Sequence, residues 1–107
     1  MPIQKLLEQL HIPEREAQVY IALLKEGMTS VGPIVTDTKL HRQLVYQSLD
    51  KLKDLRMASM VLKNGRQHWH ATDPSILLER AEKQQSIAKL AIEELMAVKQ
   101  KVQDDVH

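Results

Sequence analysis

The sequence predicts a mainly α-helical fold with one small β-hairpin and a long C-terminal helix. Three observations lead to this prediction. Apolar residues recur three or four positions apart along most of the chain, which is the pattern of amphipathic helices. The pattern changes to alternation around Asn64-Gly65, a pair that favours the two-residue turn of a β-hairpin. From Leu78 to Val106 the chain contains no Gly or Pro, which predicts one uninterrupted helix.

The composition limits the classes of function that we consider. A chain of 107 residues suits one domain with an appended element, and the absence of Cys excludes disulfides and thiolate sites. No secretion signal or membrane-length apolar run is present, so we expect a cytoplasmic protein without a membrane partner. His68-x-His70 resembles half a zinc site, but no Cys or nearby carboxylate completes it. We expect no metal and no cofactor, and the lack of catalytic motifs predicts that the chain is not an enzyme.

The charge is unevenly distributed along the chain. The formal net charge is only +1, yet residues 39–70 hold seven Lys and Arg against two Asp. A basic middle segment on a nearly neutral chain suits the binding of phosphate groups. The alternative interpretation is a solvated helix face and hairpin with no ligand.

Two helices are predicted before Ser30. Apolar residues at Ile3, Leu6, Leu7 and Leu10 predict a short amphipathic helix. Pro13 then begins a longer helix that ends near Gly27, because Pro suits a first helical turn and Gly a helix end. The predicted buried stripe of this longer helix consists of Ala17, Tyr20, Ile21 and Leu24. Val19 and Leu23 widen this stripe, so we expect the helix to be covered on two sides.

The segment between Ser30 and Leu52 has the pattern of a helix-turn-helix. Ser30 is a candidate N-cap for a short helix that reaches about Asp37, and a turn of about four residues follows. The second helix has an inward apolar stripe, formed by Leu40, Val45, Leu49, Leu52 and Leu55. Its outward face carries Gln43, Gln47 and Asp50, with Tyr46 and Lys51 beside them and Arg42 nearer the core edge.

The hairpin after this helix is predicted to form a wing. An Asn64-Gly65 turn pairs Lys63 with Arg66, Leu62 with Gln67 and Met60 with Trp69. Strand alternation then places four side chains on the inward face, namely Met60, Leu62, Trp69 and Ala71. Lys63 and Arg66 project at the tip, where their charge suits a minor groove or its phosphates. Residues 1–72 are therefore predicted to form a winged helix-turn-helix domain.

These elements predict binding to double-stranded DNA. Arg and Gln side chains can bond two atoms of a base edge at once, and Lys and Tyr can bond phosphates. The candidate DNA-binding residues are Lys39, His41, Arg42, Gln43, Tyr46, Gln47, Lys51, Lys63 and Arg66. The alternative is a winged-helix protein–protein interaction module that does not bind DNA and uses the long helix to contact a larger partner.

The last segment, residues 73–107, is predicted to be a dimerisation helix. Asp73-Pro74 resembles an N-cap followed by Pro at the first helical position. A coiled-coil-like seam with polar interruptions at Gln85 and Lys99 follows, formed by Leu78, Ala81, Gln85, Ala88, Ile92, Leu95, Lys99, Val102 and Val106. An apolar stripe of this length predicts pairing with a second copy of the chain, and the alternative is folding back on Ile3–Leu10.

Three segments resemble the TrmB family of sugar-responsive winged-helix regulators. They are LHIPEREAQVY at residues 10–20, RQLVYQSL at 42–49 and GRQHWHATDP at 65–74. The resemblance covers about residues 6–80 and implies DNA-binding regulation of transcription.

The sequence departs from the family's pattern in three ways. Lys39 stands where the family usually has Gly, which predicts a residue other than Gly in a backbone conformation that Gly favours, and Leu44 replaces a frequent Arg. The large sugar-binding domain that many members carry has no counterpart here, so the effector ligand is unknown. The resemblance therefore implies either a short stand-alone form or part of a longer protein.

Overall fold

The computed structural model describes residues 2–105, in which five helices and one antiparallel hairpin occur. The elements in chain order are α1 (Ile3–Gln9), α2 (Glu14–Glu26), α3 (Val31–Thr38), α4 (Arg42–Asp54), β1 (Ala58–Lys63), β2 (Arg66–Ala71) and α5 (Ile76–Asp105). The predicted fold class is confirmed. The chain divides into two units, Met1–Ile76 and Leu77–His107, whereas the domain boundary predicted from sequence follows residue 72. The last predicted seam residue, Val106, lies outside the described residues.

Helix α2 is the central element of the first unit, because it packs against α1, α3, α4 and β2. Its side chains Val19 and Leu23 are completely buried, as expected for a helix covered on two sides. The prediction that Leu24 belongs to the buried stripe is wrong, since that side chain is 44% exposed. Because the neighbouring elements pack on two sides of α2, its buried face includes Val19 and Leu23 and does not extend to Leu24.

Helix α1 packs on α2 with fewer residues than its apolar pattern predicts. Leu7 is buried, but Ile3, Leu6 and Leu10 are exposed, so the predicted apolar stripe of this helix is only partly covered. A seven-residue helix turns barely twice, and one neighbouring helix can cover only one narrow line along it. A part of the apolar surface of α1 therefore faces solvent.

The hairpin has the predicted register, with Lys63 opposite Arg66 and Met60 opposite Trp69. Trp69 is buried, but Leu62 is 66% exposed, so its predicted inward position is wrong. Burial is confined to the base of the hairpin, and every residue from Val61 to Gln67 is exposed. Alternation assigns a residue to one face of a strand, yet only the core determines how far along the strand that face is covered.

Two contacts of the first unit were not predicted from the sequence. Thr29, in the segment between α2 and α3, pairs with Trp69 through two backbone hydrogen bonds of 2.9 and 2.7 Å. The hydroxyl of Tyr20 donates to the backbone oxygen of Thr72 at 2.7 Å. Both contacts fix β2 to the region around α2, so the base of the wing is held at two separate points.

The start of α5 differs slightly from the predicted N-cap. Pro74 and Ser75 form a turn, and the helix begins at Ile76. The carboxylate of Asp73 accepts the backbone N–H of Ser75 at 2.9 Å, and this hydrogen bond lowers the pKa of Asp73. Asp73 therefore stabilises the turn that precedes the helix, in the manner of an Asx turn.

Candidate nucleic-acid interface

The turn between α3 and α4 depends on a residue with a left-handed backbone. Lys39 has φ 60° and ψ 19°, and its N–H donates to the oxygen of Val35 at 2.8 Å. This is the conformation predicted for the position where Gly is the family's usual residue. The hydroxyl of Thr38 donates to the oxygen of Ile34 at 2.7 Å and accepts the N–H of Leu40 at 3.3 Å. These bonds set the direction in which α4 leaves the turn.

Helix α4 has one buried face and one exposed face. The buried side chains are Val45, Ser48, Leu49 and Leu52, all with no exposed area. The exposed positions at its start and along its outer face are His41, Arg42, Gln43, Tyr46, Gln47, Asp50 and Lys51. Arg42 was predicted to lie nearer the core edge, but it is exposed. Leu40 precedes the helix, and Leu44 is half-buried, as expected of a residue that packs beside the core.

A basic residue that the sequence analysis did not identify lies beside this exposed face. Nε of Arg15, in the first turn of α2, donates to Oγ of Ser48 at 2.9 Å. Nη2 of the same guanidinium lies 3.5 Å from Oε1 of Gln47. A signal for this contact was present in the sequence, because Ser48 interrupts the apolar face of α4. A buried hydroxyl at such a position needs a partner.

The wing presents two basic side chains at its tip. Asn64 and Gly65 have φ of 52° and 75°, the two positive values that a type I′ turn requires. The turn is flanked by Lys63 and Arg66, which are directly opposite each other and exposed. Like charges on directly opposite residues destabilise a hairpin, so an anion bound by both side chains would relieve a repulsion as well as gain two attractions.

Five basic side chains in the turn before α4, on α4 and at the wing tip have no acidic partner within 4.0 Å among residues 2–104; these are Lys39, Arg42, Lys51, Lys63 and Arg66. The first turn of α4 also has no acidic residue, and no side chain caps its N-terminus. The positive charge around the N-terminus of α4 is therefore not neutralised by neighbouring groups within the described residues. Such a surface attracts polyanions over a distance of about 8–10 Å in physiological salt.

Helix α5 exposes a broad apolar surface. All eight predicted seam positions up to Val102 are exposed, including the polar Gln85 and Lys99. Apolar side chains outside the seam are exposed as well, and the large apolar residues of α5 with exposed fractions between 48% and 65% are Leu78, Ile87, Leu90, Ile92, Leu95, Met96, Val98 and Val102. The seam pattern alone therefore underestimated the apolar surface of this helix.

Neither a metal cluster nor a membrane-spanning helix occurs within the described residues. No group of three or more His, Cys, Asp or Glu side chains is arranged to hold a metal ion there. None of the helices in residues 2–105 combines the length and the apolar character that crossing a membrane requires.

Comparison with known proteins identifies relatives of this architecture. The family model described as the sugar-specific transcriptional regulator TrmB matches residues 7–75. No curated protein matches the sequence. The archaeal chromatin protein TrmBL2 is 18% identical, with a TM-score of 0.81 over 92% of this chain. A possible transcriptional regulator from Methanosarcina mazei Go1 is 13% identical, with a TM-score of 0.66 over 88% of each chain.

A further structural relative is a MarR family transcriptional regulator from Silicibacter pomeroyi DSS, 16% identical, with a TM-score of 0.58 over 89% of this chain and 61% of its own. The present chain spans only 39% of the length of TrmBL2. At these identities the structural relatives establish the winged-helix fold. The family match covers more than half of the chain and includes α2, the helix-turn-helix and the wing. The chain belongs to the TrmB family of transcriptional regulators.

Proposed function

We propose that this chain binds double-stranded DNA in a sequence-specific manner as a homodimer and thereby regulates transcription. Helix α4 would lie in the major groove, and the wing would contact the minor groove or its phosphates. The observation that carries the proposal is the division of α4 into a wholly buried face and an exposed face that carries Arg42, Gln43 and Gln47. A helix of this kind fits the width of the major groove.

The exposed side chains of α4 have different chemical roles in this proposal. Gln43 and Gln47 each carry an amide donor and an acceptor, so we propose them as the base readers. Arg42, which is exposed, becomes a third candidate. His41, Tyr46, Lys39 and Lys51 would bond phosphates and fix the register of the helix on the duplex.

The wing would supply a second contact that does not depend on sequence. Lys63 and Arg66 are exposed and opposite each other at the hairpin tip. The hydrogen bonds of Thr29 and Tyr20 at the base of the hairpin support a rigid wing rather than a mobile loop. A hairpin fixed at its base loses less backbone freedom on binding than a mobile loop does, which favours a stable contact.

The homodimer would form through α5. Burying a large apolar side chain contributes about 1.5–3 kcal/mol, and α5 exposes eight of them. Pairing with a second copy along the seam is the simplest way to remove from water the four that lie in the seam, namely Leu78, Ile92, Leu95 and Val102. A two-fold dimer would place its two α4 helices in successive major grooves of a palindromic site, about 34 Å apart.

The test is a binding titration with mixed genomic duplexes at about 50 and 200 mM salt, since each phosphate contact contributes to the salt slope. A dimer with 6–10 phosphate contacts should lose roughly 10³–10⁵ in affinity between these conditions. Absence of binding at the lower salt would contradict the proposal. It would instead support an interaction module that does not bind DNA, for which the exposed apolar surface of α5 would be the contact site.

A further inference from the structure

We propose that Arg15 is a positioning residue for the base contact of Gln47, an inference that rests on the proposed function. Arg15 belongs to α2, outside the helix-turn-helix, yet its guanidinium reaches the exposed face of α4. Nε donates to Ser48 Oγ at 2.9 Å, and Nη2 lies 3.5 Å from Gln47 Oε1. Arg15 would thus determine which end of the Gln47 amide faces the DNA.

The anchor of Arg15 is rigid. Ser48 is completely buried in the packed face of α4, so its hydroxyl has a fixed position. Guanidinium is planar, and fixing one N–H fixes the directions of its other donors. One of these donors points at Gln47 Oε1, although 3.5 Å is long for a hydrogen bond. Gln47 is exposed, and a shift of its flexible side chain by a few tenths of an ångström brings the two atoms into bonding range.

The charge on Arg15 selects one orientation of the Gln47 amide. A free glutamine amide can rotate and present either its oxygen or its NH₂ group to a base. A cationic donor beside Oε1 holds the oxygen towards Arg15, because charge-assisted hydrogen bonds are about twice as strong as neutral ones. The NH₂ group then faces outward as the donor.

This orientation has a consequence for sequence preference. An outward NH₂ group needs an acceptor on the base edge, which guanine supplies through O6 and N7 and thymine through O4. Cytosine offers only a donor in the major groove and is disfavoured. Adenine loses the bidentate contact that a glutamine with a free oxygen makes. Guanine, which offers two acceptors, should therefore be preferred opposite Gln47 over thymine and adenine, which offer one each through O4 and N7.

The experiment is a double-mutant cycle on the full chain and the duplex selected by the wild type. Gln47→Ala first identifies the base pair that Gln47 reads, as the position at which discrimination is lost. Arg15→Ala should reduce discrimination at that same base pair by about threefold or more, within the usual range of coupling energies. Arg15→Ala should not change the discrimination at this base pair any further when Gln47 is already Ala.

Three further variants separate positioning from charge and from folding. Arg15→Lys keeps the charge but lacks the planar fork, so it should lose discrimination as Arg15→Ala does. Ser48→Ala removes the hydroxyl that anchors Arg15 and should lose part of the discrimination at the Gln47 base pair. Lys25→Ala removes a cation from the far end of α2 and should leave discrimination unchanged. Thermal unfolding of each variant establishes that it is folded. If Arg15→Ala does not fold, the discrimination measured for Arg15→Lys and Ser48→Ala tests the positioning role instead.

Two outcomes would overturn the inference while leaving the proposed function intact. Equal weakening of binding to all duplexes by Arg15→Ala, with a flatter salt slope, would make Arg15 a phosphate contact. Alternatively, Arg15→Ala and Arg15→Lys could both retain full discrimination at the Gln47 base pair. A wild type without any sequence preference would be a different result, because it would contradict the proposed function itself.

Discussion

The hydroxyl of Tyr20 donates a hydrogen bond of 2.7 Å to the backbone oxygen of Thr72, which lies 52 residues further along the chain. The tyrosine is only 2% exposed, and Tyr20→Phe would remove the donor from this part-buried hydrogen bond. We expect this variant to lose about 1–2 kcal/mol of unfolding free energy in urea. Tyr46→Phe, at a tyrosine that is 37% exposed on α4, is the control and should change stability by less than about 0.5 kcal/mol. Equal losses of unfolding free energy in the two variants would show that the hydrogen bond of Tyr20 does not stabilise the fold.

The same residue predicts how stability depends on pH. Burial and, secondarily, the negative charge of Asp73 raise the pKa of Tyr20 above its usual value of 10.0. The folded state therefore keeps the phenolic proton to a higher pH than the unfolded state does. The stability from Tyr20 is complete below pH 10.0 and is lost as the pH rises through the folded pKa. Wild type should lose unfolding free energy more steeply than Tyr20→Phe in this alkaline range, and parallel curves would contradict this.

Lys39→Gly should stabilise the protein while weakening its binding to DNA. A non-glycine residue in the left-handed conformation costs roughly 1–2 kcal/mol, of which the greater flexibility of Gly in the unfolded chain cancels about half. We expect a net gain of about 0.5–1 kcal/mol in urea unfolding without DNA. Lys53→Gly, within α4, is the control and should lose about 1 kcal/mol. A Lys39→Gly variant that is less stable would show that the side chain stabilises the turn.

The helix-turn-helix and the wing could be predicted from the sequence because their signals are local. Pro13, Ser30 and the pair Asn64-Gly65 fix where elements begin or turn, and hydrophobic periodicity gives the faces between them. Even the left-handed backbone of Lys39 was predictable, since the resemblance placed a residue other than Gly at a position that favours Gly.

The errors concern how far the core extends. Leu24 and Leu62 fit their periodic patterns but are exposed, because burial depends on which neighbouring elements reach them. Arg15 was missed for a related reason, since its contacts with α4 span more than 30 residues. Periodicity within one helix carries no information about a polar contact between two helices. The signal that the sequence did contain was a hydroxyl, at Ser48, on the otherwise apolar face of α4.

The wing should contribute affinity without sequence preference. Lys63→Ala combined with Arg66→Ala should weaken binding to all duplexes and lower the salt slope by roughly two, about one unit for each lost phosphate contact. The matched control is Lys83→Ala with Lys101→Ala, which removes the same charge from α5 at positions outside the predicted seam. A loss confined to one DNA sequence would mean that the wing reads bases.

Dimerisation through α5 predicts twice the chain mass in sedimentation of the intact protein. Ile92→Glu with Leu95→Glu places charges in the predicted seam and should give a monomer, whereas Lys83→Glu with Lys101→Glu should remain dimeric. A wild type that is monomeric at tens of micromolar would contradict the dimer.

The polar seam residues give a separate test of the same interface. Gln85→Leu with Lys99→Leu should raise the stability of the dimer, because polar residues at seam positions set the register of a coiled coil at some cost in stability. Chemical unfolding at several protein concentrations measures this effect. Unchanged or lower stability would mean that these two positions do not face the partner helix.

Selection from a random pool of duplex DNA tests most directly the claim that α4 reads sequence. Wild type should recover a palindrome with half-sites about one helical turn apart. Gln43→Ala and Gln47→Ala should each relax the preference at one base pair per half-site, at a cost of about 1–3 kcal/mol there. Recovery of the same motif with the same information content by all three proteins would contradict the account, as would a wild type that recovers no motif.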